Sequence, residues 1–154
     1  MRRVLALLLA LLFAAALPVA AADDRPADEI RPRVEHHLRA AADIAAELEP
    51  VLAAACPHLA GPEAWDAYLD GSVDRVVTMV AHLDQAWEEA KRTGDKDVRR
   101  EAKAPRRRLD QAQRLVAKLH ACADGNGARF EPGAVWRRIE RAVPQRQSEI
   151  ALPQ

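Results

Sequence analysis

Two cysteines and five histidines are the side chains of this 154-residue chain best suited to ligate a metal, titrate near neutrality or form a cross-link. Four of them fall in two short clusters, Cys56-x-His58 and His120-x-Cys122, which together supply two sulfurs and two imidazoles, a donor set that zinc accepts. Helical spacing argues against one ion taking all four. Residues two apart on a helix point roughly 200° away from one another, so His120 and Cys122 converge on an ion only if the helix has already ended. The competing chemistry is a disulfide between Cys56 and Cys122, the usual fate of two cysteines in an exported chain. Closing a loop of that length is worth about 4 kcal/mol in the chain-entropy model. The disulfide is the expectation, and it leaves His58 with His120 as a weak copper or zinc pair.

His37 falls on an apolar stripe, where a satisfied core histidine is the ordinary reading and a titrating group or a haem ligand the functional one. Met79 lies beside the corresponding stripe and is a poor second axial ligand. His36 is expected at a flank or in solvent, and His82 on a polar face. No two histidines are four residues apart, so the chelating helical pair is absent. The run Arg106-Arg107-Arg108 offers an anion-binding surface for a phosphate-bearing lipid or polyanion, against the plainer reading of a solvated helical face. Trp65, Trp87 and Trp136 read as core anchors, and one left exposed would mark a contact surface. The sequence has no Gly-rich phosphate loop, no Gly-x-Ser-x-Gly, no His-Glu-x-x-His and no Cys-x-x-Cys-His for covalent haem. No enzyme and no cofactor is indicated.

The elements that must position these groups are helical. Six glycines, 4% aromatics and frequent alanine, leucine, arginine and glutamate form a helix-favouring composition with little for a sheet. Residues 1–22 read as a signal segment: Arg2-Arg3, an apolar run from Val4 to Leu17, and the small residues Ala20-Ala21-Ala22. That run falls short of the about 20 residues a membrane-spanning helix needs, and no second one follows, so no stable membrane anchor is expected once it is cleaved. Residues 23–154 are then one domain of about 130 residues. Its net charge of about −2 argues against nucleic acid as a partner.

Along the chain, Asp23 to Ala27 reads as a loose start. Val34, His37, Ala41, Ile44, Leu48, Val51 and Ala55 step by three and four, giving a first helix from about Ile30 or Pro32 to Ala55, kinked or divided at Pro50. Pro62 opens a second helix, ended by Gly94, with a break near Gly71 where Ser72 is placed to act as an internal N-cap. Asp95 caps a third, reaching about Ala123, whose stripe is Val98, Ala102, Leu109, Ala112, Val116 and Leu119. Pro132 opens a shorter fourth that Pro144 ends or bends, and residues 145–154 are either docked or a tail. The second helix is acidic and the third basic, which predicts that they lie side by side.

The expected fold is therefore all-α: an antiparallel bundle of three long helices and a shorter C-terminal one, with one disulfide. The expected role is an exported accessory or binding protein of the bacterial envelope, contacting an envelope protein through its helical surface. The alternative is a periplasmic metal- or haem-binding bundle.

Overall fold

The computed structural model describes residues 24–104 and 107–153, the side chains of Arg107 and Arg108 excepted. The signal-segment reading of residues 1–22 and the side chains of Arg106-Arg107-Arg108 lie outside what it describes. Among the described residues there are five α-helices, α1 (Ala27–Ala53), α2 (Pro62–Ala90), α3 (Lys96–Lys103), α4 (Arg107–Ala123) and α5 (Pro132–Ile150), with a short 3-10 turn at Asp124–Asn126. The class is all-α, and no strand occurs among the described residues. Side-chain pairs give the directions. Arg33 meets Glu89 and His37 meets His82, so α1 and α2 are antiparallel. Ala45, Glu49 and Leu52 meet Gln111, Arg114 and Lys118 in turn, so α4 runs parallel to α1. Asp70, Thr78 and Gln85 meet Arg138, Arg146 and Gln147, so α5 runs parallel to α2.

The heptad stripes become one main core, built from Ala41, Ala45 and Leu48 of α1, Val73, Val76, Val77 and Met79 of α2, Ala112, Leu115, Val116 and Leu119 of α4, and Val135, Ile139 and Val143 of α5. A second cluster closes one end with Ile30, Val34, Ala86, Ala90, Val98 and Ala102. Trp65, Cys122 and Ala123 close the other. Helix α2 touches every other helix, and its longest seams are with α1 and α5. Among the described residues, no helix is long and apolar enough to cross a membrane.

Cys56 and Cys122 are joined, with their Cα atoms 5.3 Å apart, as the parallel run of α1 and α4 requires of two C-terminal ends. Asn126 binds the same corner: its Oδ1 accepts from the Leu59 amide, and its Nδ2 donates to the carbonyls of Pro57 and Cys122. Lys118 donates to the carbonyls of Leu52 and Ala54 at the end of α1, a helix with no base in its own last turn.

Several expectations give way to packing. The start is tied down: the Arg25 amide donates to the Arg92 carbonyl, Asp24 accepts from the Gly94 amide, and α1 begins at Ala27. Helix α1 passes through both Pro32 and Pro50. Helix α2 passes through Gly71, and Ser72 is buried with its hydroxyl unpaired instead of capping a new start. A mid-helix glycine costs about 1 kcal/mol, less than the buried seams on both sides of Gly71 return. The expected third helix is two helices among the described residues, α3 ending at Lys103 and α4 beginning at Arg107. The Asp95 cap is present, accepting from the amides of Asp97 and Val98. Helix α5 continues through the exposed Pro144 because the turns beyond it are bound to α2, through Arg146 on Asp74 and Thr78 and through Gln147 on Gln85. Residues beyond it are docked as well, since Arg33 donates to the carbonyls of Leu152 and Pro153.

The expected charge pairing of the second and third helices is also corrected. The acids of α2 pair elsewhere: Asp70 and Asp74 with Arg138 and Arg146 of α5, and Glu89 with Arg33 of α1. Glu49 of α1 takes Arg114 of α4, and Arg31 of α1 takes Glu101 of α3. Helix α5 is itself rich in arginine and lies along α2, so it supplies the cations for Asp70 and Asp74.

A Cβ built on Gly71 meets nothing within 4 Å, and the residue is helical. Gly71→Ala is expected to stabilise the protein by about 0.5–1 kcal/mol, measured by urea unfolding. A neutral or destabilising result would mean that the turn at Gly71 is not helical in solution.

Candidate functional site

The histidines separate into two groups. At the disulfide end, the bond consumes both sulfurs of the zinc-like set, His58 is exposed on the turn after Pro57, and the exposed His120 stacks its ring on Phe130, centroids 5.7 Å apart. Among the described residues, no group of three His, Cys, Asp or Glu side chains is arranged to hold a metal ion.

The second group lies on the α1–α2 seam. His37 is fully buried as its stripe predicts, and its Nδ1 is 3.0 Å from the Nδ1 of His82. His82 is thus buried against α1 instead of lying on a polar face. The signal for this is a second stripe on α2, running Ser72, Met79, His82, Ala86 and Glu89, all of them buried. A helix enclosed on two sides buries more than one heptad stripe. The exposed His36 sets its ring edge-on to His37, centroids 5.1 Å apart, and its centroid is 6.4 Å from that of His82. Met79, the proposed second haem ligand, is buried in the main core.

Two Nδ1 atoms at hydrogen-bond distance need one proton between them, so at least one ring is neutral. Either tautomer leaves His37 short of a partner. If its Nδ1 donates, its Nε2 is a bare acceptor; if its Nδ1 accepts, its Nε2 carries the proton; and that Nε2 is buried with no partner. Burial and the neighbouring His82 and His36 hold the His37 pKa down at about 4, against smaller opposing help from Glu89, with Arg33 adding to the depression. Burial and His36 also lower that of His82.

One turn along the seam the polar groups are satisfied. Glu89, only 1% exposed, accepts from Arg33 Nε at 2.8 Å and Nη2 at 3.0 Å, and from Gln85 Nε2 at 3.3 Å. Burial alone would raise its pKa, but the Arg33 hydrogen bonds, the Arg92 charge and Gln85 outweigh it and hold the carboxyl below its ordinary value.

A groove of about 330 Å³ opens where α4 and α5 meet over α2. Val80, Leu109, Trp136, Ile139, Val143 and Pro144 supply its apolar surface, with Asp84, Glu140 and Gln147 beside them. Leu109 was expected in the core stripe but is 40% exposed, the one large apolar side chain so exposed among the described residues. It lines this groove. Of the tryptophans, Trp65 is buried, Trp87 is half-buried under the Lys103 ammonium at 4.5 Å, and Trp136 is half-buried in the groove wall. Burial pushes the Asp84 carboxyl up, and the charge of Glu88 adds to this.

The histidine seam has a definite acid response. An unfolded histidine takes a proton near pH 6.5 and folded His37 only near pH 4, so between these values the unfolded chain binds more protons and acid favours unfolding. Stability is expected to be full above about pH 7 and to fall by up to about 3 kcal/mol as the pH drops toward 4. Urea midpoints at a series of pH values check this. His37→Gln, whose amide can still bond His82, should flatten the dependence; an unchanged profile would place its origin elsewhere. No protein-family model, curated protein or solved structure matches this chain, so its function has to be read from its own side chains.

Proposed function

We propose that the protein is an exported accessory protein of the cell envelope, which binds a protein partner through the groove between α4 and α5. The observation that carries this reading is the groove itself, with Leu109 exposed at its wall and Trp136 half-covered beside it. An apolar surface presented by rigid helices is the geometry used to seat a partner's helix or side chains. A disulfide at the end of the fold suits an oxidising compartment and agrees with the export signal read in residues 1–22. No catalytic role is assigned to any residue.

The groove reading makes a specific demand on mutants. Leu109→Glu, at an exposed position that leaves the core intact, is expected to weaken partner capture from the source cell's envelope fraction by about tenfold or more, whereas Gln113→Glu on the exposed face of α4 should leave it unchanged. Equal capture by both variants would remove the groove from the contact.

A second reading is a metal- or haem-binding bundle centred on His37. Two imidazole nitrogens brought together from two helices, His37 Nδ1 and His82 Nδ1 at 3.0 Å, favour it. Elemental analysis and an absorption spectrum of natively purified protein decide it: stoichiometric metal or a Soret band that is lost in His37→Gln supports this reading, and metal-free, haem-free protein removes it.

A further inference from the structure

We infer that the groove between α4 and α5 is built for a basic amphipathic helix, one that carries apolar anchors along one face and lysine or arginine beside them. The inference rests on the groove being the contact surface and adds what kind of segment occupies it.

Its dimensions come from α5. Trp136, Ile139, Glu140, Val143, Pro144 and Gln147 line the groove at intervals of three and four, a second stripe of this helix besides the Arg138, Ala142 and Arg146 positions turned to α2. Eleven residues separate its ends, so it extends for about 16 Å, three helical turns. Leu109 forms the opposite wall and Val80 of α2 the floor. A surface of this length and period matches the i, i+3, i+4, i+7 anchors of a helix laid against it.

Its charge selects the occupant. Among the described residues, the two ionisable ones lining the groove, Asp84 and Glu140, are both acidic, and Glu88 lies one turn beyond Asp84 on α2. The other acids of α2 that face α1 and α5 have partners: Asp70, Asp74 and Glu89 each hold an arginine. Asp84 and Glu140 hold none among the described residues. A cation brought to Asp84 would favour its charged form, offsetting the desolvation and the Glu88 repulsion that push its carboxyl up. An anionic segment would add to that repulsion, and an uncharged one would leave both carboxylates beside apolar surface without compensation.

The test uses the mature, disulfide-bonded chain and three synthetic helical peptides with the same leucines at i, i+3, i+4 and i+7, flanked by lysine, glutamine or glutamate. Fluorescence anisotropy of labelled peptide at low salt gives affinity, and amide exchange of residues 136–147 gives location. The lysine peptide is expected to bind at least about tenfold more tightly than the glutamate peptide, to protect residues 136–147, and to lose that advantage in the Asp84→Asn, Glu140→Gln double variant. Leu109→Ser, which removes the apolar wall without adding charge, should weaken the lysine and glutamine peptides alike. Equal or tighter binding by the glutamate peptide, sensitive to Leu109→Ser, would overturn the charge assignment while leaving the groove as the contact surface. Binding indifferent to Leu109→Ser, binding that protects other residues, or no binding of any peptide would overturn the inference. A concentration-dependent dimer that Leu109→Glu dissociates would replace the foreign helix by a second copy of this chain.

Discussion

A carboxylate that is 1% exposed stays ionised in a protein interior only if cations and hydrogen-bond donors are brought to it, and Glu89 imposes that condition on this bundle. Arg33 must come across from α1 with its guanidinium fork in register, which fixes how far α1 can slide along α2. Gln85 must point along the same seam, and its own oxygen then takes the Gln147 amide of α5. The unused donors of Arg33 reach the Leu152 and Pro153 carbonyls, so the same guanidinium binds the end of the chain. One buried charge thus sets α1, α2, α5 and the residues after α5 relative to each other. Apolar packing alone would tolerate neighbouring registers; a bidentate pair does not.

The histidine contact one turn away is the opposite kind of buried polar arrangement. Glu89 has its oxygens occupied and its charge balanced, while the His37–His82 pair shares one proton and leaves His37 Nε2 unpaired. A missing hydrogen bond of this sort costs about 1–3 kcal/mol. The bundle can carry it because the same stretch of α1 and α2 buries Val34, Ala41, Met79 and Ala86. Neutral imidazoles are compatible with this seam and doubly charged ones are not, which is why the seam responds to acid while the Arg33–Glu89 pair beside it persists until its carboxylate is protonated at lower pH.

Much of this fold was legible in the chain because period-3.6 patterning and a pair of distant cysteines report long-range geometry directly. The stripe Val34, His37, Ala41, Leu48 is buried as read, and Cys56 meets Cys122 because α1 and α4 are parallel. The failures share one cause. Gly71 is a local breaker overruled by tertiary contacts, α5 runs on past Pro144 for the same reason, and a sequence window does not weigh those contacts. The third helix is the converse case: read as continuous from Asp95 to about Ala123, it is two helices, α3 and α4. His82 was misplaced because one heptad stripe was followed on a helix that buries two. The partner of the acidic helix was misassigned because the arginines of α5 are spread through a short amphipathic pattern, whereas those of α3 and α4 form a conspicuous run. The groove left no local signal, since Leu109 has the spacing of a core residue.

Why α4 leaves that groove open follows from where α4 is tied. Its C-terminal end carries Cys122 and packs beside Asn126, and Lys118 closes the end of α1. Farther toward its start, Gln111 and Arg114 both reach Glu49, so its attachments there also run to α1. Helix α5, for its part, is drawn to α2 by Asp70, Asp74 and Gln85. The polar contacts pull α4 and α5 to different neighbours, and their mutual seam is the weaker for it. Near the 124–131 connection the short chain between them keeps the two together. With distance from that connection only side chains can close the gap, and the described side chains that line it around Leu109 and Val143 are apolar or acidic, with Gln147 beside them. The open groove is therefore a consequence of how the polar attachments are partitioned.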